Sequence, residues 1–337
     1  MLKLSFPLAL AGAGFFAAAP AYAQSTTYPL TLENCGMEIT FDAAPTQIVS
    51  LGQAMHEIMF SLGLQDRITA TAVWLGPVLE EFEEANAAIP MISMESPSFE
   101  SVVAEAPQLV LSEFEWHIGA LGAVGTREQF AELGIPTYIA PMDCVAKDNS
   151  AGGNGMRLEM FTMDLVYQAI ADLAAIFDVQ DRGTALIAEL QTREAAAVES
   201  AASETDVPVL FWFNSQEVDG DASVAGRNGA PHYMLEVLGA RNVIESDEEW
   251  PWVSWETIVR ADPAVIVLAD MERRFNPGDD PAARIEFLEN DPVVSQLDAV
   301  QQGHYFLMRA EAMNPSIRTI GGIEQLATHI VEYGLAN

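Results

Sequence analysis

Three histidines stand where imidazoles could ligate a metal. His56 and His232 occupy the same place in two similar segments, each at the start of an apolar stretch that ends in Leu-Gly. His117 directly follows Trp116 after a short apolar run. Imidazole is a common ligand of zinc and of haem iron, so His56 and His232 are weak candidates for direct ligation. Their spacing matches no metal-binding motif, and histidines at helix starts are more often polar caps. We therefore expect no metal bound directly by the protein.

The sequence lacks the common catalytic signatures. Neither G-x-S-x-G nor H-E-x-x-H occurs, and no serine, histidine and aspartate follow an order tied to a strand, turn and helix. The segment Asp219-Gly220-Asp221 is too short for a calcium loop and predicts a turn. The interpretation is a binding protein without catalysis and without a cofactor. A secreted enzyme is the alternative from another class, and a sensor that presents its ligand to a membrane receptor is a further one.

The first 23 residues have the pattern of a secretory signal peptide. Lys3 is the only charge in the first 32 residues, an apolar run follows it, and Ala21 and Ala23 form an A-x-A cleavage site. The run is short for a membrane span and contains glycines. We therefore predict cleavage after Ala23 and a mature protein that is periplasmic and not inserted in the membrane. We also expect the mature protein to be a monomer.

Composition excludes several classes of protein. The net charge of −34, with only Lys3 and Lys147 as lysines, excludes nucleic acid as a partner. Half of the residues are hydrophobic, which excludes a disordered chain, and 337 residues suit two lobes of ordinary size. Two cysteines in an exported protein predict a disulfide between Cys35 and Cys144.

The chain contains one structural pattern twice. Residues 99–111 read FESVVAEAPQLVL and residues 255–268 read WETIVRADPAVIVL. Each predicts a short helix, a break at proline and a buried parallel strand. The segments around His56 and His232 form a second pair, so each half runs strand, helix, strand, helix, strand. This alternation predicts two α/β lobes with largely parallel sheets.

A helical region separates the two halves. Residues 162–202 are almost free of glycine and proline, and apolar residues recur there at helical spacing. They predict two helices broken near Asp178 to Arg182, the second of which links the lobes. The predicted domains are a signal peptide at 1–23, an N-terminal lobe at 24–161, a helical linker at 162–204 and a C-terminal lobe at 205–337.

These features together resemble the periplasmic binding proteins for ferric siderophores and vitamin B12. The resemblance rests on the strand Ile48 to Leu51, the Leu62-Gly63 helix end, the two duplicated segments, and Phe130 to Tyr138. It covers essentially the whole mature chain. It implies two Rossmann-like lobes joined by one long interdomain helix, with little lobe motion, and a ligand cleft at the carboxyl ends of the strands.

The strand ends and the loops after them are expected to line this cleft. Flat aromatic side chains there would bury a bulky chelate, and arginines would pair with its oxygens. Phe114 and Phe213 are predicted to pack in the core instead, and Trp250, Trp252 and Trp255 to be structural. The predicted ligand-binding residues are Trp74, Trp116, His117, Trp212, Arg227, His232 and Arg309.

The resemblance also implies partners and a function. Family members dock onto an ABC permease through one surface glutamate in each lobe. Glu57 matches the N-lobe glutamate by position. In the C-lobe the repeat places Tyr233 opposite Glu57, and Glu236, one helical turn further on, is the substitute. Basic residues are too few for a strongly anionic catecholate complex, which favours a neutral or weakly charged chelate. The prediction is a binding component that captures an iron(III)-siderophore complex and delivers it to the permease and its ATPase. Cobalamin and haem are the alternative ligands.

Overall fold

The N-terminal half folds around a parallel sheet. The computed structural model describes residues 25–150, 155–201, 206–272 and 274–336. The strands are β1 (Leu30–Asn34), β2 (Met37–Phe41), β3 (Ile48–Leu51), β4 (Ile68–Ala72), β5 (Met91–Ser93), β6 (Leu109–Ser112), β7 (Thr137–Ile139), β8 (Lys147–Asp148) and β9 (Met156–Arg157). Strands β1 and β2 form an antiparallel hairpin, and the five-stranded parallel sheet that follows has the order β5-β4-β3-β6-β7. The helices are α1 (Gln53–Ser61), α2 (Glu83–Asn86), α3 (Phe99–Ala104), α4 (Glu115–Ile118) and α5 (Arg127–Glu132).

Two consecutive helices lead from the first lobe to the second. Helix α6 (Met163–Ile176) packs on the N-terminal lobe, where Tyr138 donates a hydrogen bond to Asp172. The predicted break lies at Asp178, whose φ of 57° ends the first helix. Helix α7 (Gln180–Ala201) has 22 residues and therefore spans roughly 33 Å. The predicted long helix between the lobes is confirmed.

The C-terminal half forms a mixed sheet in which the central strands are parallel. The elements are β10 (Pro208–Ser215), β11 (Ala222–Val224), α8 (Ala230–Val237), β12 (Arg241–Asn242), β13 (Trp252–Val253), α9 (Trp255–Ala261), β14 (Val265–Asp270), α10 (Pro281–Asn290), α11 (Asp298–Gln301), β15 (Tyr305–Arg309) and α12 (Arg318–Glu332). The strand order is β13-β11-β10-β14-β15, with β12 also beside β10. Strand β11 pairs antiparallel with both β10 and β13, and the other described pairs of this sheet are parallel.

The duplicated pattern corresponds to equivalent elements. Helix α3 and strand β6 in the first lobe match helix α9 and strand β14 in the second, and α1 matches α8. Along the central strands of each sheet, successive buried apolar residues belong to cores on opposite faces of the sheet. Parallel sheets that are covered on both faces have this pattern. The predicted fold class, two α/β lobes with parallel-rich sheets, is confirmed.

A disulfide fixes the N-terminal hairpin to its lobe. Cys35, at the turn between β1 and β2, is bonded to Cys144, which follows β7. Arg127 strengthens this junction by donating to the Asn34 carbonyl at 2.7 Å. The predicted pairing of Cys35 with Cys144 is confirmed. The predicted signal peptide lies outside the described residues, and none of the described helices is long and apolar enough to cross a bilayer.

Candidate functional site

A cavity of about 460 Å³ lies between the two lobes. This volume falls within the range of small-molecule binding sites. Its walls come from the ends of parallel strands and the loops that follow them. In the N-terminal lobe these residues are Gln53 after β3, Val73 after β4 and Phe114 after β6. In the C-terminal lobe they are Phe213, near the end of β10, and Glu311, after β15. The cavity therefore occupies the carboxyl edge of both sheets, where open α/β sheets generally hold ligands.

Aromatic side chains from both lobes form much of the cavity wall. Trp116 and His117 lie in it as expected, with their rings 4.1 Å apart. Trp252 and Phe275 are about half exposed or more, at 51% and 62%, although both line the cavity. Such rings offer a large apolar area at little cost in conformational entropy. The aromatic lining residues are Phe114, Trp116, Phe213, Trp250, Trp252 and Phe275.

Strand β10 exchanges the predicted roles of two neighbouring aromatics. Trp212 is fully buried, and its indole donates to Ser215 Oγ at 2.9 Å. It packs at 4.8 Å against Trp255, so the prediction that Trp212 lines the cleft is wrong. The pairing of β10 with β11 shifts register between Trp212 and Asn214. This bulge leaves Phe213 unpaired, and Phe213 rather than Trp212 contributes to the cavity.

Trp74 also faces the interior instead of the cavity. Val73 leaves strand β4 with a φ of 67°, and Trp74 then packs beside His56 with the rings 5.1 Å apart. The indole nitrogen of Trp74 donates to Thr71 Oγ1 at 2.8 Å. With only 3% of its surface exposed, Trp74 is a core residue, and its predicted contact with the ligand is wrong.

Two cations in the cavity wall are held by carboxylates. Lys147 forms ion pairs with Asp143 and, at 3.4 Å, with Glu249. Arg157 contacts the same Glu249 at 3.4 Å and donates to the Met142 carbonyl. All of these side chains are buried, and Glu249 joins residues of the N-terminal lobe to the C-terminal lobe. This cluster was not predicted from the sequence. The one indication was that Lys147 is the single lysine of the predicted mature chain.

A third cation pairs across the lobes. Arg318, at the start of α12, donates Nε–H to Glu57 Oε2 at 2.7 Å, and its Nη2 also contacts Glu57 Oε1. The same Nη2 donates to the Pro77 carbonyl at 2.8 Å. Every cationic side chain among the described lining residues is thus already bound to a carboxylate.

The two arginines predicted to meet the ligand do not line this cavity. Arg227 is about half exposed and forms surface ion pairs with Glu245 and Asp247. Arg309 lies behind the wall, where it pairs with Asp270 at 3.0 Å and with Glu311 at 3.2 Å. Both predictions are wrong, because local carboxylates in this acidic chain engage these guanidinium groups.

The histidines predicted as weak metal candidates do not converge. His56 is buried on α1, where its Nε2 is 2.8 Å from Asn86 Oδ1 and burial lowers its pKa to about 4. His232 lies on α8 outside the cavity wall, and burial lowers its pKa too. The possibility that they ligate a metal together, and the prediction that His232 touches the ligand, are therefore wrong. The described residues contain no group of three or more His, Cys, Asp or Glu side chains arranged for a metal ion.

Glu113 carries a buried carboxyl at the floor of the cavity. Its Oε2 accepts a hydrogen bond from the Ala54 amide at 2.8 Å. Burial raises the pKa of Glu113 to about 8, and the nearby charges of Asp143, Glu57 and Glu311 act in the same direction. The side chain is therefore mostly protonated at neutral pH, when an ordinary glutamate is ionised.

Replacing Glu113 by Gln should remove a pH-dependent loss of stability. The unfolded chain releases this proton near pH 4.5, whereas the folded chain keeps it until about pH 8. The folded protein therefore loses stability as the pH rises through this interval. We expect Glu113→Gln to match the original chain at pH 4.5 and to be at least about 2 kcal/mol more stable at pH 9. Urea unfolding at both pH values measures the difference, and a constant gap would contradict the assignment.

Comparison with known proteins identifies the family. A family model described as periplasmic binding protein matches residues 48–312. The chain belongs to the periplasmic binding protein family. It resembles the uncharacterized ABC transporter substrate-binding lipoprotein YvrC of Bacillus subtilis, with 21% identity over 309 residues that cover 91% of this chain and 87% of the relative. The chain is thus a substrate-binding component of an ABC transporter and not an enzyme. Components of this class work with a permease and an ATPase.

Solved structures of other transport and binding proteins have a similar fold. A protein from Saccharomonospora viridis, described as an ABC-type Fe3+-hydroxamate transport system, has 28% identity and a TM-score of 0.71. The alignment covers 90% of this chain and 99% of that one. The periplasmic heme-binding protein RhuT from Roseiflexus sp. RS-1 has 22% identity and a TM-score of 0.65, with 86% and 99% covered.

The two docking glutamates assigned from the family have different surroundings. Glu57 has 1% of its surface exposed and is bound to Arg318, so it cannot act as a surface contact and this prediction is wrong. Eight of the nine residues of α1 are buried, which leaves the helix no free face at Glu57. Glu236 is exposed on α8, and its docking role stays a prediction.

Proposed function

We propose that this protein captures a neutral or weakly charged iron(III) chelate of the hydroxamate type in the periplasm and delivers it to an ABC permease. The observation that carries the proposal is the cavity between the lobes, lined by aromatic rings and holding cations that are already neutralised. Aromatic walls suit a bulky ligand with an apolar exterior.

The charges of the cavity favour a neutral ligand over an anionic one. A ferric catecholate complex and the two carboxylates of haem both bring negative charge, which requires cations free to receive it. Lys147 and Arg318 would each have to give up a carboxylate partner first. The charge of Arg157 is already balanced by Glu249, 3.4 Å away. A hydroxamate complex needs no such exchange. The relative from Saccharomonospora viridis, which carries a hydroxamate description, supports the same ligand class.

A panel of ligands tests the proposal. The purified protein is titrated with ferric hydroxamates, ferric catecholates, cobalamin and haem, and tryptophan quenching and calorimetry report binding. We expect a ferric hydroxamate to bind at least tenfold more tightly than the other classes. Tighter binding of haem or of a catecholate would overturn the hydroxamate assignment, and binding of none would overturn the chelate assignment.

Removing Trp116 should weaken binding of the chelate. Its ring lines the cavity beside His117, with the ring centroids 4.1 Å apart, and loss of a buried aromatic contact typically costs about 2 kcal/mol or more. We expect Trp116→Ala to raise the dissociation constant about 30-fold. Tyr305→Ala is the matched control, because Tyr305 begins β15 at the edge of the sheet away from the cavity. Equal affinities of the two variants would show that Trp116 does not contact the ligand.

A further inference from the structure

A buried arginine joins the ends of two strands in the C-terminal lobe. Arg284 lies on α10, and its side chain is fully buried. Its Nη1 donates to the carbonyls of Trp212 at 3.1 Å and of Phe213 at 3.0 Å, and its Nη2 donates to the Ala269 carbonyl. The pairing of β10 with β14 ends at Trp212 and Leu268. The guanidinium group therefore links the two strands one residue beyond their last pair.

These contacts coincide with the bulge in β10. The register of β10 against β11 shifts between Trp212 and Asn214. Consecutive carbonyl groups of a regular strand point in opposite directions. One nitrogen can therefore bond the carbonyls of both Trp212 and Phe213 only where the strand leaves its extended form, as it does at a bulge. The two bonds of Arg284 Nη1 thus favour the bulged backbone over a regular strand.

The same guanidinium group contacts the ring of Trp212. Arg284 Cζ lies over this ring, 5.3 Å from its centroid, and a cation in this position is attracted to the face of an indole. Trp212 is thereby kept on the core side of β10. The ring of Phe213 lies 4.5 Å from that of Trp250, and both residues line the cavity.

The charge of Arg284 strengthens its bonds to the strand carbonyls. Burial lowers the pKa of Arg284 to about 10, and Asp279 is the main influence in the opposite direction. The guanidinium group is therefore charged at neutral pH. Hydrogen bonds from a charged donor are roughly twice as strong as those between neutral groups, so the carbonyls at the bulge are firmly held.

The turn before α10 places Arg284 against β10. A Cβ atom on Gly278 would lie 2.3 Å from the Ser215 carbonyl oxygen, so only glycine permits this close approach. Asp279 then fixes the turn, because its Oδ2 accepts from the amides of Phe275 and Asn276 at 2.8 and 2.9 Å. The helix that carries Arg284 therefore begins in a turn that is seated on the end of the strand.

We propose that Arg284 is a positioning residue for ligand binding, which holds the bulge that directs Phe213 into the cavity and Trp212 into the core. This proposal rests on the proposed function, because it assigns Phe213 to the wall that contacts the chelate. Arg284 itself does not line the cavity. Its effect on affinity is therefore exerted through Phe213.

A double-mutant cycle tests this coupling. Arg284→Met keeps an apolar side chain and removes the donors. We expect Arg284→Met and Phe213→Ala each to raise the dissociation constant of a ferric trihydroxamate about tenfold. Because Arg284 acts through Phe213, the double variant should also bind about tenfold more weakly than the original protein, and not about a hundredfold as independent effects would give. Independent effects, or an unchanged affinity of Arg284→Met, would overturn the positioning role.

Arg127→Met is the matched control for a general loss of stability. Arg127 is also buried and donates to main-chain carbonyls, those of Asn34 at 2.7 Å and Thr137 at 3.1 Å, but it lies in the N-terminal lobe and does not line the cavity. We expect its affinity to stay within twofold of the original. A tenfold loss in Arg127→Met as well would show that lower stability alone weakens binding, which would overturn the role of Arg284.

Crystals of ligand-free Arg284→Met give a result that does not depend on the ligand. We expect β10 to lose its bulge and the ring of Phe213 to leave the cavity wall; an unchanged Phe213 would overturn the proposal. If Arg284→Met does not fold, Arg284→Lys takes its place, since it keeps the charge but has one nitrogen that cannot link both strands. If the original protein binds no trihydroxamate, the proposed function fails, while the crystals still decide the role of Arg284.

Discussion

Replacing Arg318 by Met should lower the free energy of unfolding by about 3–5 kcal/mol at pH 8, because it leaves the Glu57 carboxylate buried without its cation. The side chains of Glu57 and Arg318 are 1% and 8% exposed, and two contacts join them across the lobes. Burial raises the pKa of Glu57, and Arg318 is the main influence that lowers it again. Urea unfolding of the variant measures the loss.

The effect of Arg318→Met should depend on pH and on its partner. Without Arg318 the pKa of Glu57 rises further, so the loss of stability should shrink as the pH falls and Glu57 takes up a proton. The double variant Glu57→Gln and Arg318→Met removes both charges, and we expect it to recover at least half of the lost stability. A double variant as unstable as the single one would show that packing, and not the unpaired charge, causes the loss.

Removing the disulfide should have an effect of similar size. The bond between Cys35 and Cys144 closes a segment of 109 residues, and cross-links of this span restrict the unfolded chain by about 4–5 kcal/mol in the entropic account. We expect the double variant Cys35→Ser and Cys144→Ser to lose about 2–5 kcal/mol, measured by urea unfolding without reductant.

The original protein treated with reductant is the control for the two serines. It should unfold at the same urea concentration as the double variant, since both lack the cross-link. If neither change lowers the stability by more than about 1 kcal/mol, the hydrogen bonds that Arg127 donates to the Asn34 and Cys35 carbonyls and to Thr137 hold the hairpin without the disulfide.

Local sequence signals were sufficient for the architecture of the lobes. Alternating helical and strand patterns, with a proline at each break, predicted α3, β6, α9 and β14, because these signals depend on neighbours within a few residues. The break at Asp178 between α6 and α7 was predictable for the same reason. The disulfide followed from cysteine count and predicted export alone.

The composition of the cavity wall was predicted less well. The prediction that neighbouring side chains of β10 point to opposite faces was correct. Which face Trp212 and Phe213 take depends on a β-bulge that could not be predicted from the sequence. The positive φ of Val73 likewise decides where Trp74 points. Backbone irregularities of this kind reverse the direction of a side chain without changing the helix and strand pattern.

Buried ion pairs between residues far apart in the sequence could not be predicted from the sequence. Glu57 and Arg318 are 261 residues apart, and Arg157 and Glu249 are 92 residues apart. In a chain with 49 acidic residues, no local pattern distinguishes a buried carboxylate from a surface one. The assignment of Glu57 as a docking residue failed for this reason, whereas Glu236 remains available for that role.

The position of iron in a ligand complex tests the central claim most directly. Crystals of the protein grown with a ferric trihydroxamate would locate the metal by its anomalous scattering. We expect one iron site inside the cavity between Trp116 of the first lobe and Phe213 of the second. Iron bound elsewhere on the protein, with this cavity empty, would contradict the account.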